Sequence, residues 1–233
     1  MWHEWVEQNS PGGSSFCAGG LGYDGGRGTR PLLGSNALVE GVSDSMPFNE
    51  LLELLQERAL LKGQFTLASG RESSTFIDCK RVTLTAKGSS LVGKVMGGAI
   101  HDMNLPQNFA IAGVPIGGYP IATAVSHASY LQGYNKGRGW DALYVRRESK
   151  PYGTGQWVEG CTDQTPRSVI VLEDVLTTGG SSLKTVGILL EAGFRVLGVV
   201  ALVDREEGAR ERFKEEGIPL VGLYCKSRLE LSV

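Results

Sequence analysis

The stretch Val169-Ile170-Val171-Leu172-Glu173-Asp174-Val175-Leu176-Thr177-Thr178-Gly179-Gly180-Ser181 decides how the chain is read. Four apolar residues without polar alternation predict a short strand covered on both faces, as in the centre of a parallel sheet. Two adjacent carboxylates end that predicted strand. A turn of small hydroxyl residues and glycines follows, and Ser182 to Ala192 reads as a helix with Leu183, Val186, Leu189 and Leu190 at helical spacing and Gly193 just past its end.

That order has chemical consequences. In open parallel sheets, ligands sit beyond the carboxyl ends of the strands. A turn that feeds a helix offers unpaired N–H groups and the positive end of the helix dipole, which suit a phosphate. Gly179 and Gly180 let the backbone approach an anion, and Thr177, Thr178 and Ser181 add hydroxyl donors. Glu173 and Asp174 repel phosphate but can accept hydrogen bonds from a pair of neighbouring sugar hydroxyls. One turn could thus hold both ends of a sugar phosphate. No G-x-x-x-x-G-K-[ST] and no G-x-G-x-x-G after a first strand is present, which argues against a P-loop nucleotidase and a dinucleotide fold. The plainer reading is a buried strand followed by an acidic helix cap.

All 13 positions of the stretch resemble the phosphoribosyl-pyrophosphate (PRPP) motif of type I phosphoribosyltransferases. The resemblance implies an α/β fold with a central parallel sheet flanked by helices and a small N-terminal hood. It assigns PRPP binding to Glu173, Asp174, Val175, Leu176, Thr177, Thr178, Gly179, Gly180 and Ser181.

Composition sets the bounds. The chain has 233 residues, 41% hydrophobic and 21% charged, with a net charge of −2, an ordinary soluble composition that does not suggest a nucleic-acid surface. Cys17, Cys79, Cys161 and Cys225 are scattered, without a CxxC pair or a Cys/His cluster. They point to neither zinc nor a disulfide framework, and a reducing cytoplasm is the simplest setting. The apolar run Val196 to Val203 has eight residues, too short to span a bilayer, and the N-terminus lacks the apolar core of a signal peptide. Residues 1–45 carry ten of the 33 glycines and are expected to be a disordered tail. Residues 46–233 then form the folded domain, and Met46 is a candidate start.

Along that domain, Phe48 to Leu61 predicts a helix, ended by Gly63. Residues 64–78 predict two short strands around a Ser-Gly turn, and 86–103 a second helix. A buried strand over 109–112 leads to a second Gly-rich turn, Val114-Pro115-Ile116-Gly117-Gly118-Tyr119-Pro120, and a helix over 121–131. Strands are expected at 142–145, 195–203 and 220–225, with a helix at 209–216. Strands alternating with helices imply a parallel sheet.

Four stretches make the resemblance more specific, to orotate phosphoribosyltransferases: Phe65-Thr66-Leu67-Ala68-Ser69-Gly70, Arg146-Arg147-Glu148-Ser149-Lys150-Pro151-Tyr152-Gly153-Thr154, the stretch 169–181, and Leu202-Val203-Asp204-Arg205-Glu206-Glu207-Gly208. It implies transfer of phosphoribosyl from PRPP to orotate. The polar loop would be catalytic, with Lys150, Arg147 and Tyr152 acting on the departing pyrophosphate and Arg146 joining them in PRPP binding. Alone, such a charge run reads as a solvated loop. Orotate binding falls to Thr177, Arg205, Phe76 and Ile77. The plain readings are an exposed Arg205 beside an Asp204 cap, and a core role for Phe76 and Ile77. The resemblance further implies Mg²⁺ carried by PRPP rather than a protein-only metal site, and a homodimer whose loop acts in the partner's pocket. No nucleic-acid or membrane partner is expected. Four positions depart from the common pattern: Ala68 where many members have Lys, Ile116-Gly117 where a Tyr-Lys pair is frequent, and Pro151 where Asp is usual. A purine-base phosphoribosyltransferase and a PRPP-sensing regulator of the same fold are the alternatives.

Overall fold

The computed structural model describes residues 46–66, 70, 72–103, 105, 108–148 and 157–231. The expected tail, residues 1–45, lies outside them. The elements run α1 (Met46–Arg58), β1 (Leu60–Thr66), β2 (Glu72–Ile77), α2 (Lys80–Thr83), α3 (Ala86–Asp102), β3 (Ala110–Gly113), α4 (Gly118–Leu131), β4 (Ala142–Val145), β5 (Val158–Glu159), β6 (Ser168–Leu176), α5 (Gly180–Glu191), β7 (Arg195–Asp204), α6 (Ala209–Glu215), β8 (Leu220–Cys225) and α7 (Lys226–Glu230).

The main sheet has the order β5-β4-β3-β6-β7-β8. Every neighbouring pair is parallel except β4 with β5. In β6, Val169 and Val171 pack in one hydrophobic cluster with Leu183, Val186 and Phe213. Ile170 and Leu172 pack in another with Leu51, Val95, Met96 and Ile121. Alternate side chains of one strand therefore enter two different cores, which is why the strand shows no polar alternation. Helices α1, α3 and α4 cover one face; α5 and α6 cover the other.

The hood is a separate antiparallel pair, β1 with β2, whose register shifts between Lys62 and Phe65. Here the expected helix end is corrected. Helix α1 stops at Arg58, and Leu60 and Leu61 begin β1 opposite Ile77 and Phe76. The apolar stripe continued through a change of period, so helix and strand read as one element. Gly63 lies inside the strand. The short α2 and β5 escaped sequence reading because four and two residues carry no period.

The last strand and helix are tied to the first helix. The Tyr224 ring stacks on Phe48 at 4.4 Å, and its hydroxyl donates to the Phe48 carbonyl at 2.8 Å. The Gln56 amide donates to the Arg228 and Leu229 carbonyls. Replacing Tyr224 by Phe keeps the stack and removes this buried hydrogen bond. Tyr224→Phe should lower stability by about 1–2 kcal/mol and the melting temperature by roughly 2–8 °C. An unchanged melting curve would show that the hydroxyl contributes nothing.

Candidate active site

The chain runs from β3 to β4 on one side of β3, and later places β6 on the other side. The sheet therefore changes direction between β3 and β6, and the crevice beyond their carboxyl ends is where such sheets receive ligands. Two turns meet there: residues 114–117 after β3 and residues 177–179 after β6.

Close backbone approach brings them together. A Cβ on Gly113 would lie 2.5 Å from the Gly118 carbonyl oxygen, and one on Gly118 would lie 2.4 Å from that of Leu172. A Cβ on Gly117 would lie 2.0–2.3 Å from the Asp174 carboxylate. The Val114 N–H donates to Leu172 O at 2.9 Å. In this arrangement the Asp174 carboxylate occupies the space beside Gly117, so a side chain at 117 would require that carboxylate to turn aside.

The acidic pair is unequal. Strand β6 does not end at Glu173 but runs on to Leu176, so both acids are strand residues on opposite faces. Glu173 is 5% exposed and accepts from the Ser182 hydroxyl at 2.7 Å. Burial, then the Asp174 charge, pushes its carboxyl up to about 8. Asp174 is half-buried. Val175 and Leu176 pair with Val203 and Asp204 of β7 and hold the turn in place. In the turn itself Thr177 is half-buried, and Thr178, Gly180 and Ser181 are exposed. Gly179 adopts φ +79°, and no side chain caps the start of α5. That leaves helix N-terminal N–H groups facing the crevice, the arrangement that receives anions.

Arg205 follows directly on β7 and donates its backbone N–H to Leu176 O at 2.9 Å, so it sits against the same turn. Contrary to the plain reading, its side chain is not exposed: 4% is accessible, and Nε lies 2.9 Å from Glu207 Oε1. Phe76 and Ile77 separate. Phe76 is exposed and rests against Phe65 at 5.6 Å between centroids, whereas Ile77 belongs to the core.

At the root of the polar loop, Arg146 Nη1 pairs with Glu159 Oε1 at 2.9 Å. Arg147 Nη2 donates to the Pro115 carbonyl at 3.2 Å. An open cavity of about 500 Å³ is lined by Pro115, Ile116, Tyr119, Tyr144, Arg146 and Arg147, with Tyr119 and Tyr144 stacked at 4.4 Å. Lys150, Pro151, Tyr152 and, in the hood, Ala68 lie outside the described residues. Sequence reading missed Ser182, Glu159 and the two tyrosines. Ser182 follows Ser181 in an obvious motif, but nothing local marks it as the partner of Glu173.

No protein-family model matches the chain. The orotate phosphoribosyltransferase of Sorangium cellulosum is 49% identical over 177 residues, covering 76% of this chain and 89% of the relative. The chain belongs to the orotate phosphoribosyltransferase family. The family enzyme of Thermosynechococcus vestitus is 44% identical over 181 residues, covering 78% of this chain and 92% of that relative. Among solved structures, the Mycobacterium tuberculosis orotate phosphoribosyltransferase in complex with PRPP superimposes with a TM-score of 0.62 at 32% identity, over 78% of this chain and 98% of that one. The Aeropyrum pernix orotate phosphoribosyltransferase gives 0.62 at 34%, over 77% and 95%.

The buried acid of this family fold has a pH signature. Folded Glu173 keeps its proton to about pH 8, while the unfolded group loses it near 4.5. Folding therefore takes up a proton in between, and stability falls as pH rises from about 5 to 8. Glu173→Gln should flatten that fall in denaturant midpoints measured across this range. Parallel curves for the two proteins would refute a buried, neutral Glu173.

Proposed function

We propose that this chain transfers the 5-phosphoribosyl group of PRPP to orotate, giving orotidine 5′-monophosphate and pyrophosphate, a step of pyrimidine (UMP) biosynthesis. The observation that carries it is the switch-point crevice, where a half-buried carboxylate, an uncapped helix start and Arg205 meet in a chain of this family.

In this reading the N–H groups and hydroxyls of Thr177 to Ser181 hold the 5-phosphate. Asp174 accepts from the ribose hydroxyls. Glu173, protonated and held by Ser182, supports the turn from below. Arg205, with Thr177 and Phe76, reads the base: a planar guanidinium suits the orotate carboxylate and ring carbonyl. The bond from the ribose carbon to pyrophosphate breaks as the bond to the orotate nitrogen forms, and the ribose carbon passes through a cation-like state. Arg146, Arg147, Lys150 and Tyr152 stabilise the charge developing on pyrophosphate; removing one such donor typically costs 10²–10³ in rate.

Magnesium suits this chemistry as a companion of PRPP. It takes oxygen ligands and keeps several waters, and the pyrophosphate supplies those oxygens. Among the described residues no group of three or more His, Cys, Asp or Glu gathers to hold a metal. When bound, the ion would neutralise charge on the leaving group. We further propose a cytoplasmic homodimer in which loop 146–154 serves the partner's pocket. The wide-open cavity at the loop root supports it. No helix among the described residues is long and apolar enough to cross a membrane.

The direct test is the loss of orotate absorbance with PRPP and Mg²⁺. Turnover of adenine, guanine or xanthine instead would indicate a purine-base enzyme, and PRPP binding without turnover a sensor. Asp174→Asn should raise the PRPP KM more than that of orotate, and Arg205→Ala should do the reverse. Equal effects on both substrates would sink these assignments. For the dimer, Lys150→Ala and Asp174→Asn homodimers should each be nearly inactive. When the subunits are mixed and exchange, about half the dimers pair one of each, with one intact site in two, so activity should return to roughly a quarter of wild type. No recovery, with exchange confirmed by mass spectrometry, would rule out a loop acting across the interface.

A further inference from the structure

The turn after β7 is pinned at almost every position. Asp204 is 1% exposed; its Oδ1 accepts from Glu206 N–H at 2.8 Å and its Oδ2 from Arg210 Nε at 2.7 Å. Glu206 adopts φ +59°, and its carboxylate accepts from Ser227 N and Oγ at 2.9 and 3.1 Å. Arg205 N–H is bound to Leu176 O at 2.9 Å. These contacts fix the backbone on both sides of Arg205, but not the guanidinium at the end of its four-bond side chain.

Glu207 does. Its Oε1 lies 2.9 Å from Arg205 Nε, with the two side chains 15% and 4% exposed. Arg205 is the buried cation among the described residues, where the other buried charged groups are Glu173 and Asp204. The approach is close, but the Nε–H is not aligned on the oxygen, so this buried donor lacks a well-directed hydrogen bond. A buried donor in that condition stands to gain from a small rotation of the guanidinium.

We propose that Glu207 is the positioning residue for orotate recognition: it holds Arg205 by the Nε edge and so aims the guanidinium plane at the substrate's carboxylate and ring carbonyl. The inference rests on the reading of Arg205 as the base-contacting residue. A guanidinium is planar, and gripping one edge fixes where its other N–H groups point. Binding of a planar anion lets the plane rotate into line with Glu207 and the ligand together. In this reading Glu207 influences orotate recognition through Arg205 rather than by contacting a substrate itself.

A carboxylate beside a buried Arg also has a purely structural use, as its counter-charge. Three variants separate the two roles. Glu207→Met fills the same space and accepts nothing; Glu207→Gln keeps an acceptor and loses the charge; Arg205→Ala removes the group being aimed. With PRPP saturating, Glu207→Met should raise the orotate KM about tenfold, with the PRPP KM unchanged and kcat within about twofold. Glu207→Gln should return the orotate KM to within about threefold of wild type. In the Arg205→Ala background, Glu207→Met should add nothing, because the two act as one unit. Equal rises in both KM values, a Gln variant as poor as Met, or additive effects in the double variant would overturn the proposal. Should Glu207→Met not fold, Glu207→Asp, which withdraws the carboxylate by one methylene, takes its place with the same expected split. If Arg205→Ala itself leaves the orotate KM unchanged, the base-reading assignment has failed. If Arg205→Ala raises it and the Glu207 variants do not, only the positioning role has.

Discussion

The contact on which the site depends is backbone against backbone. Gly113 and Gly118 let the turn after β3 close on itself and lie directly on β6, at separations no Cβ could tolerate. Hard-sphere repulsion, rather than any attraction, sets the identity of these two residues. Once the turn is seated, the crevice at the switch point has one wall from each half of the sheet.

Electrostatics then divides the labour between adjacent acids. Glu173 and Asp174 share a motif and nearly a position, yet strand alternation sends their side chains to opposite faces. The inner one loses solvent, faces a like charge and keeps its proton. The outer one keeps its access to the crevice. A pair that reads as symmetrical in one dimension becomes one structural and one ligand-facing group in three.

How much of this was legible follows from the range of each signal. The sheet elements were readable because β6 announces burial on both faces and the helices carry a clear period. Residues 142–145 and 220–225 came out with the structure's own bounds. The end of α1 was missed because apolar residues run unbroken from helix into strand. At the site, the PRPP-like turn and Arg205 were visible as local motifs. The burial of Arg205, its Glu207 partner, the Ser182 bond to Glu173 and the Arg146–Glu159 pair were not. Each depends on which side chains meet after folding, and residue type alone does not encode that.

The Phe48–Tyr224 contact joins residues 176 apart in the sequence. A chain made from its N-terminus must therefore synthesise α1 long before its partner exists. Until residue 224 has left the ribosome, the apolar stripe of α1 lacks the ring on which it finally rests. Pairings this distant slow folding and lengthen the time that sticky surface stays open. During synthesis, then, part of the apolar face of the first helix waits uncovered for its last partner.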